Sequence, residues 1–464
     1  ELQAIEEAAR ASRMGREQAI QAVGTLVGVY ANQIHNQFSS FTYDMATRLM
    51  PGALGRLLTA SQPLGLFGSD FDPTSRIIVD GPMDLLRSLS EDHTLVIAPT
   101  HFSNLDSPLI GFALYGAELP PVIYGAGLNL FANPAMAFFM SRLGAYTVDR
   151  RKKHRLYKDV LKDYSVHAME RGCSSLFFPG GTRSRSGGIE ERLKKGLLGT
   201  GITAWQNNIE AGAEYPDLLV VPCTLSYSLV LEAETLIEDH LAEEGQARYI
   251  ISDDEFSQPR TVATFARRAL SLDASVTVRF GQPLDLVGNP VNPDGTSTDH
   301  HGSPFERVDY LTDQTGAIVR DSQRDRVYTD FLAQSLLSAY RRDTTALPTH
   351  VAAYAAWRQL ETDNPALDPV QLALLSPDEQ QVNRSDLITA IGQLLVQLRA
   401  LETEGAIHLS LPPGPAELLD AAMRRFSHFH SRNALEPVGE RIRVDPRLTL
   451  FYGNRIKCYD LESP

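Results

Sequence analysis

Cysteine, positive charge and long apolar runs are all scarce in this sequence, and each scarcity removes a class of function. The three cysteines, Cys173, Cys223 and Cys458, stand far apart, which argues against the paired spacings of zinc sites and disulfide frameworks and points to a reducing, cytosolic compartment. Twelve histidines are similarly scattered, and the close sets, His300 with His301 and His428 with His430, lack Cys or acidic ligands at metal spacing, so no metal site is expected. The formal net charge of -14 sets the chain against nucleic acid as its main partner, because phosphate-backbone binding is dominated by clustered Lys and Arg. The longest apolar stretches, around 108–117 and 134–140, fall well short of the roughly 18 to 20 residues that cross a bilayer, and no transmembrane helix is expected. The first twenty residues open with Glu1 and mix charges, which is not the pattern of a secretory signal. A membrane-surface role would rest on apolar insertion or a local basic patch rather than on the global field.

What is present is material for a folded, multidomain protein: 464 residues, 43% hydrophobic and 22% charged, with length alone suggesting two or three domains. Residues 1–69 read as a helical region, with Ile20, Val23, Leu26 and Val27 recurring near the helical period before Pro-Gly punctuation near residue 70. From 70 to 285, seven short β-rich runs alternate with helical stretches: 76–79, 94–98, 122–124, 145–148, 174–178, 218–225 and 275–280. That alternation predicts an α/β domain with a mostly parallel central sheet and helices on both faces. Helices are expected over 132–142, 152–171 and 256–272. Residues 286–305, rich in Gly, Pro, Asn, Asp, Ser and Thr, read as a linker. Beyond it, 306–464 is expected to be mainly helical, over 327–342, 350–360, 387–401 and 416–426, with strand-like runs at 442–444 and 448–452.

Three segments carry the chemistry. The run Leu95 to Ala98 leads into Pro99-Thr100-His101-Phe102-Ser103-Asn104-Leu105-Asp106, and reactive groups collect just past the carboxyl ends of strands in parallel sheets. If the turn folds back, Asp106 fixes the tautomer of His101 and favours its charged form, as a general base for an alcohol requires, for a gain of roughly 100- to 10,000-fold. An ordinary strand-to-helix turn with a capping Asp is the alternative. Next, Phe178-Pro179-Gly180-Gly181-Thr182-Arg183-Ser184-Arg185 follows another buried run; its glycines permit close backbone approach, while its arginines suit a phosphate dianion. Third, Gly144 to Arg150 continues into Arg151, Lys152, Lys153 and Arg155. This basic run is either a solvated helix start or a dock for coenzyme A phosphates or an acidic carrier protein. The Met- and Phe-rich run 135–140 is either core or the lining of an acyl channel. A Gly199-x-Gly201 pattern lacks the strand that a dinucleotide site needs, and no Gly-x-Ser-x-Gly elbow of a serine hydrolase occurs.

In order and spacing, four blocks resemble those of the glycerolipid acyltransferase family, which acylates glycerol 3-phosphate or its mono-acylated product: His101 to Asp106, Gly144 to Arg150, Phe178 to Ser184, and Val221-Pro222-Cys223. The late run Leu450 to Arg455 resembles the tail of the large glycerol-3-phosphate acyltransferases, whereas Ser103 to Pro108 looks more like the compact enzymes. The resemblance implies that His101 deprotonates the sn-1 hydroxyl, that Asp106 orients it, and that the alkoxide attacks the thioester of acyl-CoA or an acyl-carrier protein without an acyl-enzyme. It implies that Arg150, Arg183 and Lys194 or Lys195 hold the acceptor phosphate, with Gly180, Gly181, Thr182, Ser184 and Arg185 around the substrate and amides near Gly180 and Gly181 facing the oxyanion. No metal or bound cofactor is implied, and the place of action would be the cytosolic face of a membrane, peripherally. One position departs from the family: its usual third-block Glu is Gly180 here.

Overall fold

The computed structural model describes residues 16–45, 77–131, 134–149, 151–244, 275–299, 301–376, 378–427 and 430–462. Seven strands build its central sheet: β1 (Ile77–Asp80), β2 (Thr94–Pro99), β3 (Ile123–Gly127), β4 (Ala145–Val148), β5 (Ser175–Leu176), β6 (Leu218–Tyr227) and β7 (Val276–Phe280). Their order is β1-β7-β6-β2-β5-β3-β4. The five from β6 to β4 run parallel, while β7 lies antiparallel to β6 and parallel to β1. All seven fall on the runs expected from sequence.

Strand β2 is buried along its whole length, as a central parallel strand with helices on both faces must be. Its alternation sends Leu95 and Ile97 into one core and Val96 and Ala98 into the other. The first core takes Leu86 and Leu89 of helix α1 (Met83–Asp92) and Ile110 and Leu114 of α2 (Asp106–Gly116). The second takes Val166 and Met169 of α3 (Arg155–Glu170) and Ile202 and Trp205 of α4 (Thr200–Glu210).

The C-terminal helices share these cores. Helix α5 (Ser322–Asp343) adds Leu332, Leu336 and Tyr340 to the second, and the Tyr340 hydroxyl donates to the Ala98 carbonyl at 2.9 Å. Helices α6 (Pro348–Asp363), α7 (Arg384–Thr403), α8 (Pro415–Phe426) and α9 (Pro446–Lys457) join the first. The 286–305 stretch is wrapped onto this body: Leu286 enters one core and Val291 the other, and Arg307 pairs with Asp217 at 2.7 Å.

One expectation is overturned. Residues 448–452 are not a strand but part of α9. Asp445 Oδ1 accepts the N–H groups of Arg447 and Leu448, and Pro446 occupies the first turn, a capped helix start. The expected helix 256–272 lies outside the described residues, as do 1–15 and 46–76; within 16–45, Arg16–Ile34 is helical.

Candidate active site

Thr100 is the last residue held by the ladder, its N–H bonding the Cys223 carbonyl at 2.9 Å. The chain then turns, and the first residue of α2 reaches back over it. Asp106, fully buried, accepts three hydrogen bonds on Oδ2: from the N–H of Phe102 at 2.7 Å, of Ser103 at 3.0 Å, and from His101 Nδ1 at 2.8 Å. The buried Tyr227 hydroxyl donates to Oδ1. Asp106 thus caps the turn and holds the imidazole at once. With Nδ1 as donor, Nε2 is the basic nitrogen. The ring also stacks on Phe178, centroids 4.0 Å apart, and its side chain is 12% exposed.

Two further carboxylates shape the turn. Glu232 takes the Ser103 hydroxyl at 2.8 Å, the Asn104 N–H at 2.9 Å and the Arg183 guanidinium at 3.1 Å. Burial raises its pKa and the charge of Arg183 opposes the rise. Glu190 Oε1 accepts the His101 N–H at 2.8 Å, while Ser184 N–H donates to the His101 carbonyl at 2.8 Å. The main chain of His101 is therefore gripped on both sides by the 184–190 loop. Burial pushes the Glu190 carboxyl up to about 7. Behind the turn, the Arg455 guanidinium lies 3.2 Å from the centroid of the Phe102 ring, and burial brings its pKa down to about 10. Glu190, Tyr227 and Glu232 were not picked out from sequence; only the chain's return to one spot identifies them.

The structure separates the residues expected to bind substrate. Arg183, Ser184 and Arg185 line a cavity of about 740 Å³ with Gly180, Thr182, Arg192, Arg341 and Lys457. The His101 side chain does not line it, but two lining residues, Ser184 and Glu190, bond its main chain. Lys194 lies over Gly181, where an added Cβ would stand 2.7 Å from its Nζ. The Gly181 N–H is taken by the Phe178 carbonyl at 2.9 Å, so it is not turned toward an oxyanion. Lys195 points elsewhere, pairing with Asp330 at 2.6 Å beside a different depression. Arg150 lies outside the described residues. In the adjoining basic run, Arg151 pairs with Asp149, Lys152 meets Gln33, and Arg155 faces Asp159. Among the described residues no group of His, Cys, Asp and Glu is placed to hold a metal.

Residues 78–226 match the Acyltransferase family model. The glycerol-3-phosphate acyltransferase of Haemophilus ducreyi is 33% identical over 158 residues, 34% of this chain and 19% of its own length. That of Actinobacillus pleuropneumoniae serotype 5b is 28% identical over 237 residues, 51% of this chain and 26% of its own. The chain therefore matches about a quarter or less of these relatives. The 1-acyl-sn-glycerophosphate (LPA) acyltransferase of Thermotoga maritima is 13% identical, covering 67% of this chain and 86% of that one, at a TM-score of 0.29.

Proposed function

We propose that the chain, whose residues 78–226 match the Acyltransferase family model, moves a fatty acyl group from a thioester donor, acyl-CoA or acyl-carrier protein, to the sn-1 hydroxyl of glycerol 3-phosphate. The observation that carries this is the buried Asp106 carboxylate on His101 Nδ1 at 2.8 Å, which leaves Nε2 to take a proton. Nε2 removes the hydroxyl proton as the oxygen attacks the thioester carbonyl, and Asp106 balances the imidazolium. Collapse of the tetrahedral intermediate expels the thiolate, which takes the proton back from the ring. Product ester and free thiol leave with His101 neutral again, and no acyl-enzyme forms.

The acceptor phosphate belongs in the cavity beside this turn, where Arg183 and Arg185 offer forked donors. Lysophosphatidate is the alternative acceptor. Peripheral attachment at the cytosolic face of a membrane is supported by the exposed Phe38, Phe41 and Phe138; no described helix is long and apolar enough to cross one.

The test offers labelled glycerol 3-phosphate and lysophosphatidate side by side with one acyl-CoA and with acylated carrier protein. Ester formed on glycerol 3-phosphate is expected. It should fall about 100- to 10,000-fold in His101→Ala, whereas Arg183→Ala should chiefly raise the acceptor KM. Binding of both substrates with no turnover would overturn the proposal in favour of a non-catalytic relative.

A further inference from the structure

We infer that Glu190 is a positioning residue for His101, set into the space that a side chain at position 180 would otherwise fill. Its catalytic consequence rests on the proposed acyl transfer, but its geometry does not. His101 is the first residue to leave the ladder of β2, so its N–H faces inward without a strand partner, and a buried N–H left unpaired is strongly disfavoured. Glu190 Oε1 meets it at 2.8 Å. Gly180 leaves that carboxyl uncrowded: a Cβ there would stand 3.0 Å from Glu190 Cγ and 3.2 Å from Oε1. At such separations the Glu190 side chain would have to give way by a few tenths of an ångström, enough to lengthen its bond to the His101 N–H. The second oxygen, Oε2, is buried with no partner among the described residues. The bond to the His101 N–H is thus the carboxyl's link to the turn, with the charge of Arg455 behind it and the open space at Gly180 beside it. Because Ser184 fixes the His101 carbonyl from the same loop, loss of Glu190 frees one side of a two-sided grip.

The test is an exchange of positions. Glu190→Gly should lower kcat about 10- to 100-fold, the scale of a buried N–H left without its acceptor, a larger change than in either KM. Glu190→Gln, which keeps a carbonyl acceptor, should restore most of that loss. Gly180→Glu alone should be at least as damaging as Glu190→Gly, because two carboxyls then contest one space. The double variant Gly180→Glu/Glu190→Gly should recover to within about fivefold of the parent protein, a coupling that independent sites do not show. Hydrogen–deuterium exchange in peptides spanning 97–106 should quicken in Glu190→Gly and slow again in the double variant.

An unchanged kcat in Glu190→Gly, or a double variant no better than the worse single, overturns the assignment. So does a KM effect with kcat kept, which would make Glu190 a substrate ligand instead. If the parent protein transfers no acyl group, the transfer proposal fails by itself; the exchange measurement then decides Glu190, and unaltered protection of 97–106 would refute it.

Discussion

Replacing Asp106 by asparagine keeps the shape of the buried end of the dyad and removes its charge. Four donors converge on the native carboxylate: His101 Nδ1 and the N–H groups of Phe102 and Ser103 on Oδ2, and the Tyr227 hydroxyl on Oδ1. Asparagine offers one oxygen and one NH2. The two main-chain donors are fixed by the turn and cannot accept, so the amide oxygen must take the Oδ2 place, and the NH2 must face Tyr227, whose hydroxyl can reverse its role. The imidazole then keeps its acceptor and its tautomer. What disappears is the negative charge opposite the imidazolium. A charge-assisted bond contributes about 1.5–3 kcal/mol and a neutral one about 0.5–1.5, so the difference is about 1–2 kcal/mol. At 1.36 kcal/mol per tenfold, kcat should fall about 5- to 30-fold. Thiol release at saturating acyl-CoA and acceptor measures it, with a melting curve to check the fold. A loss near 10,000-fold, the scale of a wrong tautomer, would show that the amide had turned its NH2 to the ring and that the main-chain donors do not dictate its orientation. No loss at all would show that Asp106 does not balance the imidazolium. Either result would exclude this role for Asp106.

Gly187 has φ +77°, and a Cβ there would stand 2.0 Å from the Phe451 carbonyl oxygen; Gly187→Ala should therefore cost about 2–4 kcal/mol in urea unfolding, from strain and overpacking together. The adjacent Gly188→Ala, whose Cβ would meet nothing nearer than 3.4 Å, should stay within about 1 kcal/mol. Stability should also fall with acid: burial drives His350 down to about 3 and His430 to about 4, so the unfolded chain binds up to two more protons than the folded one between about pH 4 and 6.5. Glu190, raised by burial to about 7, works oppositely between its ordinary value and 7, since there the folded chain holds the extra proton. These three groups leave a net slope of roughly 1.4 kcal/mol per pH unit near pH 5–6, and Glu190→Gln should steepen it toward roughly 2.7. Urea midpoints from pH 5 to 7 check both slopes, and a slope that Glu190→Gln leaves unchanged would contradict the burial of that carboxyl.

The sheet and the dyad were legible because their signals are local. A strand buried on both faces writes a continuous apolar run, as 94–98 and 218–225 do, and His101 with Asp106 sits within one turn past such a run. The rest of the site is assembled over distance: Glu190, Tyr227 and Glu232 lie 89, 121 and 129 residues from the partners they bond. In sequence an isolated Glu is indistinguishable from a solvated surface residue, since only the fold decides whether water or a buried N–H receives it. The misjudged 448–452 run has a different cause. Leu448, Leu450 and Tyr452 alternate like a strand, but Asp445-Pro446 just before them is a helix start, and the cap outweighs a short periodicity. As a helix, 446–457 presents Tyr452 to the Val230 N–H at 3.0 Å and Arg455 to the Phe102 ring, while His350 bonds the carbonyl of Tyr227, the residue that holds Asp106. The Pro348–Asp363 and Pro446–Lys457 helices thus form the floor beneath the His101–Asp106 turn. A buried guanidinium such as Arg455 is tolerated where negative groups face it, and Glu190 and Asp106 are the foremost of those that favour its charge, ahead of Tyr459 and Cys458. The carboxyl groups that bond His101 and the cation behind them therefore favour one another across 265 to 349 residues of chain, so the late helices pack as part of the surroundings of the proposed site.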